Sequence, residues 1–276
     1  MSETWFVFPN VGGVNSKNCR GGLLNRWEKA KRYKFNFVEL PAHFVRKTET
    51  EFLGLSAGEF LTKEAISKLY LKDDERPRDI RYIFHTEPAL APKCYLKWYS
   101  EPWVNRFIEM NIDIAKYIGL PPSVIEIHPG KKPNTNQYIA ESAIKLFNNF
   151  KDEFEVKPTI LIENRTGHVI SKGIQMKEFW EYLITNYPSY QKYIGFVVDF
   201  RTMCTPVSKD YSNNVNSHFI NNIEMIPDES IKGCHIHNLH MKAPTIRDDV
   251  PWLSVFNKII NVKNDLILNP ELFSLG

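Results

Sequence analysis

The chain has 276 residues, 43% of them apolar and 13% aromatic, enough to bury a large core and to exclude global disorder. Its 35 basic and 32 acidic side chains leave a formal charge of +3, too even to mark a nucleic-acid binder but compatible with a local basic rim. No apolar run approaches the ~18 residues that crossing a bilayer takes, so no membrane partner is expected.

The N-terminus carries an acid at Glu3 and only a short apolar run from Trp5 to Phe8, which is not the pattern of a signal peptide. The four cysteines, Cys19, Cys94, Cys204 and Cys234, form no C-x-x-C pair. They read as the reduced thiols of a cytoplasmic protein.

Taken in chain order, β-rich runs fall at residues 5–9, 36–40, 80–85, 124–128, 159–163, 194–199, 232–237 and 265–269. Their Val, Ile and Phe density is that of strands buried on both faces. The runs start 31, 44, 44, 35, 35, 38 and 33 residues apart, the room that βαβ crossovers of about 30 residues or more require. Helical patterns fill the gaps. Ser56 and Glu59 read as a capping box for a helix carrying Leu61, Ala65, Ile66 and Leu69. Val104, Phe107, Ile108, Asn111, Ala115 and Ile118 share one helix face, opened by Ser100-Glu101-Pro102 and closed at Gly119 before Pro121-Pro122. Ile139, Ala143, Ile144 and Phe147 mark the next helix, and Phe179, Trp180 and Leu183 the one after. The polar stretch 208–217 reads as a loop into the sixth helix. Trp252, Leu253, Phe256, Ile259 and Ile260 follow Pro251 in the seventh.

Eight strands alternating with seven helices, without a linker, predict one α/β domain over residues 1–276, a (β/α)8 barrel. An open doubly wound sheet is the rival, but Gly12-Gly13 lacks the G-x-G-x-x-G spacing. The chain stops seven residues after the eighth run, so the last barrel helix is expected to be missing.

The strand ends carry the chemistry. Runs three to six end in His85, His128, Glu163 and Asp199, and the seventh in His235-Ile236-His237. In a barrel these ends converge on one mouth, where active sites form. A single buried histidine or carboxylate there is ordinarily a hydrogen-bonded structural residue, with Arg165 or Arg201 at hand as partners. Five successive strands ending this way are harder to explain so, because clustered desolvated charges cost several kcal/mol each unless a cation compensates them. Imidazole and carboxylate without thiolate suit zinc, manganese or iron. Glu126 shares parity with His128 and reads either as a supporting partner or as an interior ion pair.

These residues resemble a family. Ile127-His128-Pro129-Gly130 is similar to the His-Pro-Gly turn after the fourth strand of endonuclease IV-type apurinic endonucleases. Ile162-Glu163-Asn164-Arg165-Thr166-Gly167 resembles their Leu-Glu-Asn-x-x-Gly, and Val198-Asp199 and Lys232-Gly233-Cys234-His235 resemble their next two motifs. The family lies within the xylose isomerase-like TIM-barrel superfamily and uses three metals, usually zinc, to cleave DNA beside an abasic site. The resemblance implies a first metal on His85, His128 and Glu163, and a second sharing Glu163 with Asp199 and His235. It also implies departures. The family's last ligand is a strand-eight Glu, where this chain offers the amide of Asn269 as a weaker, neutral metal ligand, and its third metal needs a His where this chain has Thr202. Arg247-Asp248-Asp249 offers acids without the family's His, and His237 and His240 are extra histidines. One or two divalent ions are expected.

Three functions follow from this reading. The first is a metal-dependent phosphodiesterase acting on DNA with an abasic site, Glu163 being catalytic and Lys131, Lys132, Arg165, Arg201 and His237 meeting substrate. The second is a sugar isomerase or epimerase holding one ion on Glu163, Asp199 and His235. The third is a barrel kept for binding without catalysis.

Overall fold

The computed structural model describes residues 3–9, 19–72, 74, 79, 81–86, 95–205, 214–238, 244–245 and 248–270. Eight parallel strands close in sequence order into a barrel, β8 pairing with β1. They are β1 (Thr4–Phe8), β2 (Phe37–Pro41), β3 (Arg81–His85), β4 (Val124–Ile127), β5 (Thr159–Glu163), β6 (Ile194–Asp199), β7 (Ile231–His235) and β8 (Leu266–Asn269). Helices cross between them: α1 (Cys19–Arg32), α2 (Thr50–Leu53), α3 (Lys63–Leu69), α4 (Glu101–Ile118), α5 (Asn136–Phe154), α6 (Gly173–Asn186), α7 (Phe200–Cys204), α8 (Val215–Met225) and α9 (Trp252–Asn261). Every expected strand forms. A helix after β8 would fall on residues 271–276, outside the described residues. None of the described helices is long and apolar enough to cross a membrane.

Helices α4, α5 and α6 bury the faces their periodicity predicts, but in α9 only Trp252 of the expected face is buried, and Leu253, Phe256 and Ile260 are exposed. In α4, Val104, Phe107, Ile108, Asn111, Ala115 and Ile118 are all buried. The helix ends where Gly119 takes a left-handed φ of 72° and donates its N–H to the carbonyl of Ala115, a conformation glycine adopts without penalty. The expected capping box also fails locally. Ser56 and Glu59 do pair, with the Ser56 N–H donating to Glu59 Oε2 at 3.1 Å, but they close a turn. The helix starts later, at Lys63, where the Thr62 hydroxyl accepts from the Ala65 N–H. Leu61 is therefore buried outside the helix. A β-branched hydroxyl that caps directly competes with the box upstream.

The barrel interior has two storeys. Val7, Phe37, Ile83, Val124, Leu161, Val197 and Ile267 form a dry plug across the strands. Gly233 completes it by being small, since a Cβ there would lie 3.2 Å from Leu161 Cδ1 and 3.3 Å from Val197 Cγ2. Alternate residues of a strand face the same side. Two residues on from every plug position except Val7, toward the C-terminal ends, stand Glu39, His85, Glu126, Glu163, Asp199, His235 and Asn269, all buried. The inward face of seven strands thus turns from apolar to polar in one step.

Candidate metal centre

Among the described residues, one group of three donor atoms lies within 4.8 Å of one another, that of His85, His128 and Glu163. His85 ends β3, Glu163 ends β5, and His128 directly follows β4. The Trp98 indole N–H donates to the His128 carbonyl at 2.8 Å and fixes the backbone at the His-Pro-Gly turn. Glu163 Oε2 is 3.1 Å from His85 Nε2 and 3.3 Å from His128 Nε2, and the two Nε2 atoms are 3.4 Å apart. His128 is 0% exposed, Glu163 3% and His85 7%.

The carboxylate of Glu39 stands behind His85, its Oε1 2.6 Å from Nδ1. A carboxylate only accepts, so His85 Nδ1–H donates to it, and Nε2 faces the cup. The Nε2 lone pairs of two neutral imidazoles against a carboxylate oxygen would repel. Only a proton or a cation among the three makes the cluster attractive, and two imidazoles with one carboxylate are a donor set that zinc accepts. The residues fit a divalent metal.

Glu39 was not evident from the sequence as a site residue. Its one signal is parity with Phe37 in a strand buried throughout. Glu126, fully buried, places Oε2 3.3 Å from His235 Nε2, while its Oε1 has no partner. His235 Nδ1 is 3.8 Å from Glu163 Oε2.

The remaining expected ligands are turned elsewhere. Asp199 caps α7, accepting from the Thr202 N–H at 3.1 Å and its hydroxyl at 2.8 Å. Thr202, which stands where the family has a histidine, anchors this cap. His237, beyond the end of β7 and fully buried, places Nε2 3.6 Å from Asp199 Oδ1. Asn269 donates Nδ2–H to Glu39 Oε2 at 2.9 Å, so its amide supports a carboxylate in place of joining the three donors. Asn164 is structural: it accepts from the Asp199 N–H and donates to the Asp199 carbonyl, tying β5 to β6.

At the rim, Lys131 and Lys132 are exposed on the loop after β4 and Arg165 is half-buried on the loop after β5. Arg165 adds to burial and to His85 in holding His128 well below the usual histidine range. Burial, then Arg165 and Lys131, pushes His168 down to about 4. Its Nδ1 accepts from the Gly130 N–H at 3.2 Å. Arg201 lies 3.6 Å from Asp249. His240 and Arg247 lie outside the described residues.

Without metal, the two histidines respond oppositely to pH. Burial alone would lower His85, but Glu39 and then Glu163 hold it well above its ordinary 6.5. The folded chain thus binds this proton more tightly than the unfolded one. The stabilisation is fully present below about pH 6.5 and is lost as pH rises through the raised folded value. His128 stays neutral in the fold, so it costs stability as pH falls below about 6.5. The thermal midpoint of chelator-treated protein should therefore fall on the alkaline side, and His85→Asn should flatten that slope. Melts from neutral to alkaline pH check this; a midpoint that rises with pH would contradict it.

No protein-family model matches the chain, and no curated protein matches it in sequence. Solved structures do match over nearly its whole length. An AP endonuclease of family 2 from Brucella melitensis matches with TM-score 0.54 at 12% identity, covering 100% of this chain and 95% of that one. A D-allulose 3-epimerase from a Methylomonas species matches with TM-score 0.56 at 11% identity, covering 98% and 85%. A xylose isomerase-like TIM-barrel protein from Mycobacterium smegmatis, in complex with magnesium, matches with TM-score 0.50 at 10% identity, covering 97% and 90%. At such identity the likeness concerns the fold. The closed parallel barrel and these neighbours together show that the chain has a (β/α)8 TIM-barrel fold, similar to that of xylose isomerase-like proteins.

Proposed function

We propose that the protein is a metal-dependent phosphodiesterase that cleaves DNA at abasic sites, a cytoplasmic repair hydrolase that uses zinc. The observation that carries this reading is the convergence of His85, His128 and Glu163 within 4.8 Å. The epimerase reading needs Glu163, Asp199 and His235 around one ion, and Asp199 is engaged with Thr202. A divalent ion held by the three supplies a Lewis acid for a phosphoryl oxygen and lowers the pKa of water. Glu163 is the central carboxylate. Arg165 and Lys131, beside His128 and His168, meet substrate phosphate, with Lys132 and Arg201 further round the mouth and His237 buried behind Asp199. The buried free thiols Cys204 and Cys234 accord with a reducing compartment.

The test is incubation with a duplex carrying one abasic site, beside an undamaged duplex and a ketohexose. Nicking confined to the abasic duplex, and stopped by chelator, is expected. Epimerised sugar without nicking moves the assignment to the isomerase class, and inactivity on all three leaves a binding barrel.

A further inference from the structure

Two carboxylates that the sequence motifs do not contain, Glu39 and Glu126, stand in the same buried storey as the donor triad. Each backs a histidine: Glu39 backs His85 at 2.6 Å and Glu126 backs His235 at 3.3 Å. Asp199 is committed to the first turn of α7 through both its oxygens. Asn269 is committed to Glu39. A second ion on Glu163, Asp199 and His235 would need Asp199 to abandon its helix cap, and among the described residues these three do not form a donor group.

We propose that the cup holds a single divalent ion per chain, on His85, His128 and Glu163, and that Glu39, clamped by Asn269, is its positioning residue. Glu39 takes the His85 Nδ1–H and fixes the ring with Nε2 toward Glu163. The Asn269 amide holds the other oxygen, so the Glu39 carboxylate cannot swing into the cup. The order of the relay is Asn269, Glu39, His85, spanning β8, β2 and β3. Removal of such an outer partner lowers metal affinity by about 10–100-fold without removing the site.

This inference rests on the metal-site reading above, and the experiment separates their failures. Stripped protein is reloaded with zinc, bound zinc is counted by plasma emission, and affinity is measured by competition with a chromogenic chelator. One equivalent is expected in the wild type and in Asp199→Asn, a substitution that keeps a capping side chain. Glu39→Gln should still bind one equivalent, about 10–100-fold more weakly. Asn269→Ala keeps both carboxylate and imidazole and should lose less than Glu39→Gln, giving a second readout if that variant folds poorly. Two equivalents in the wild type, one of them lost in Asp199→Asn, would overturn the single-ion centre while leaving the hydrolase reading intact. Unchanged affinity in both Glu39→Gln and Asn269→Ala would overturn the role of Glu39. Absence of bound zinc in the wild type overturns this inference and the hydrolase reading together.

Discussion

Glu163→Gln should abolish chelator-sensitive nicking and weaken zinc binding by about 10²–10³-fold. Glu163 Oε2 is the atom that both His85 Nε2 and His128 Nε2 face, at 3.1 and 3.3 Å. Breaking a buried charged cluster by removing one member costs about 3–5 kcal/mol, and each ~1.4 kcal/mol is tenfold in affinity. The amide is nearly isosteric, so the plug beneath stays filled and the loss is chemical. Zinc competition and nicking, measured on the same preparation, check this. A variant that nicks at the wild-type rate would remove Glu163 from the mechanism.

Gly173→Ala should be the most damaging single-methyl change to stability. Gly173 opens α6 where α8 crosses it, and its N–H donates to Asn222 Oδ1 at 2.8 Å. A Cβ there would lie 1.8 Å from the Asn222 carbonyl oxygen. That neighbour is backbone, so the two helices must part. Overpacking of this kind costs about 3 kcal/mol or more, which lowers the thermal midpoint of a domain this size by roughly 6–12 °C. Gly54→Ala is the contrast. Gly54 has φ of 68° but nothing within 4 Å of its would-be Cβ, so only the backbone penalty of about 1–2 kcal/mol applies. Equal melting losses in the two variants would refute the close approach.

The barrel was legible because its strands are buried on both faces and therefore stand out as dense apolar runs at crossover spacing. Boundaries agree to the residue at β5 and β6 and to within two at the ends of the others. The members of the donor triad were legible as strand-end residues for a related reason, but their grouping as one set was implied only by the family resemblance; the structure brings the three together. What stayed hidden depends on distance. Glu39 sits among Phe37, Val38 and Leu40, and its partners His85 and Asn269 lie 46 and 230 residues away. No local pattern encodes such a relay. Asp199 was ambiguous for the opposite reason. Asp199 with Thr202 three residues on is a local helix-start pattern as well as a strand-end carboxylate. The structure shows the capping bond on that carboxylate.

The most direct test restores zinc stepwise to chelator-stripped protein and follows nicking of a duplex with one abasic site. Nicking should rise in proportion to bound zinc, reach its plateau at one equivalent, and stay absent in Glu163→Gln at every zinc level. Full zinc occupancy without nicking, or nicking that persists in the stripped protein, would contradict a zinc-dependent phosphodiesterase centred on His85, His128 and Glu163.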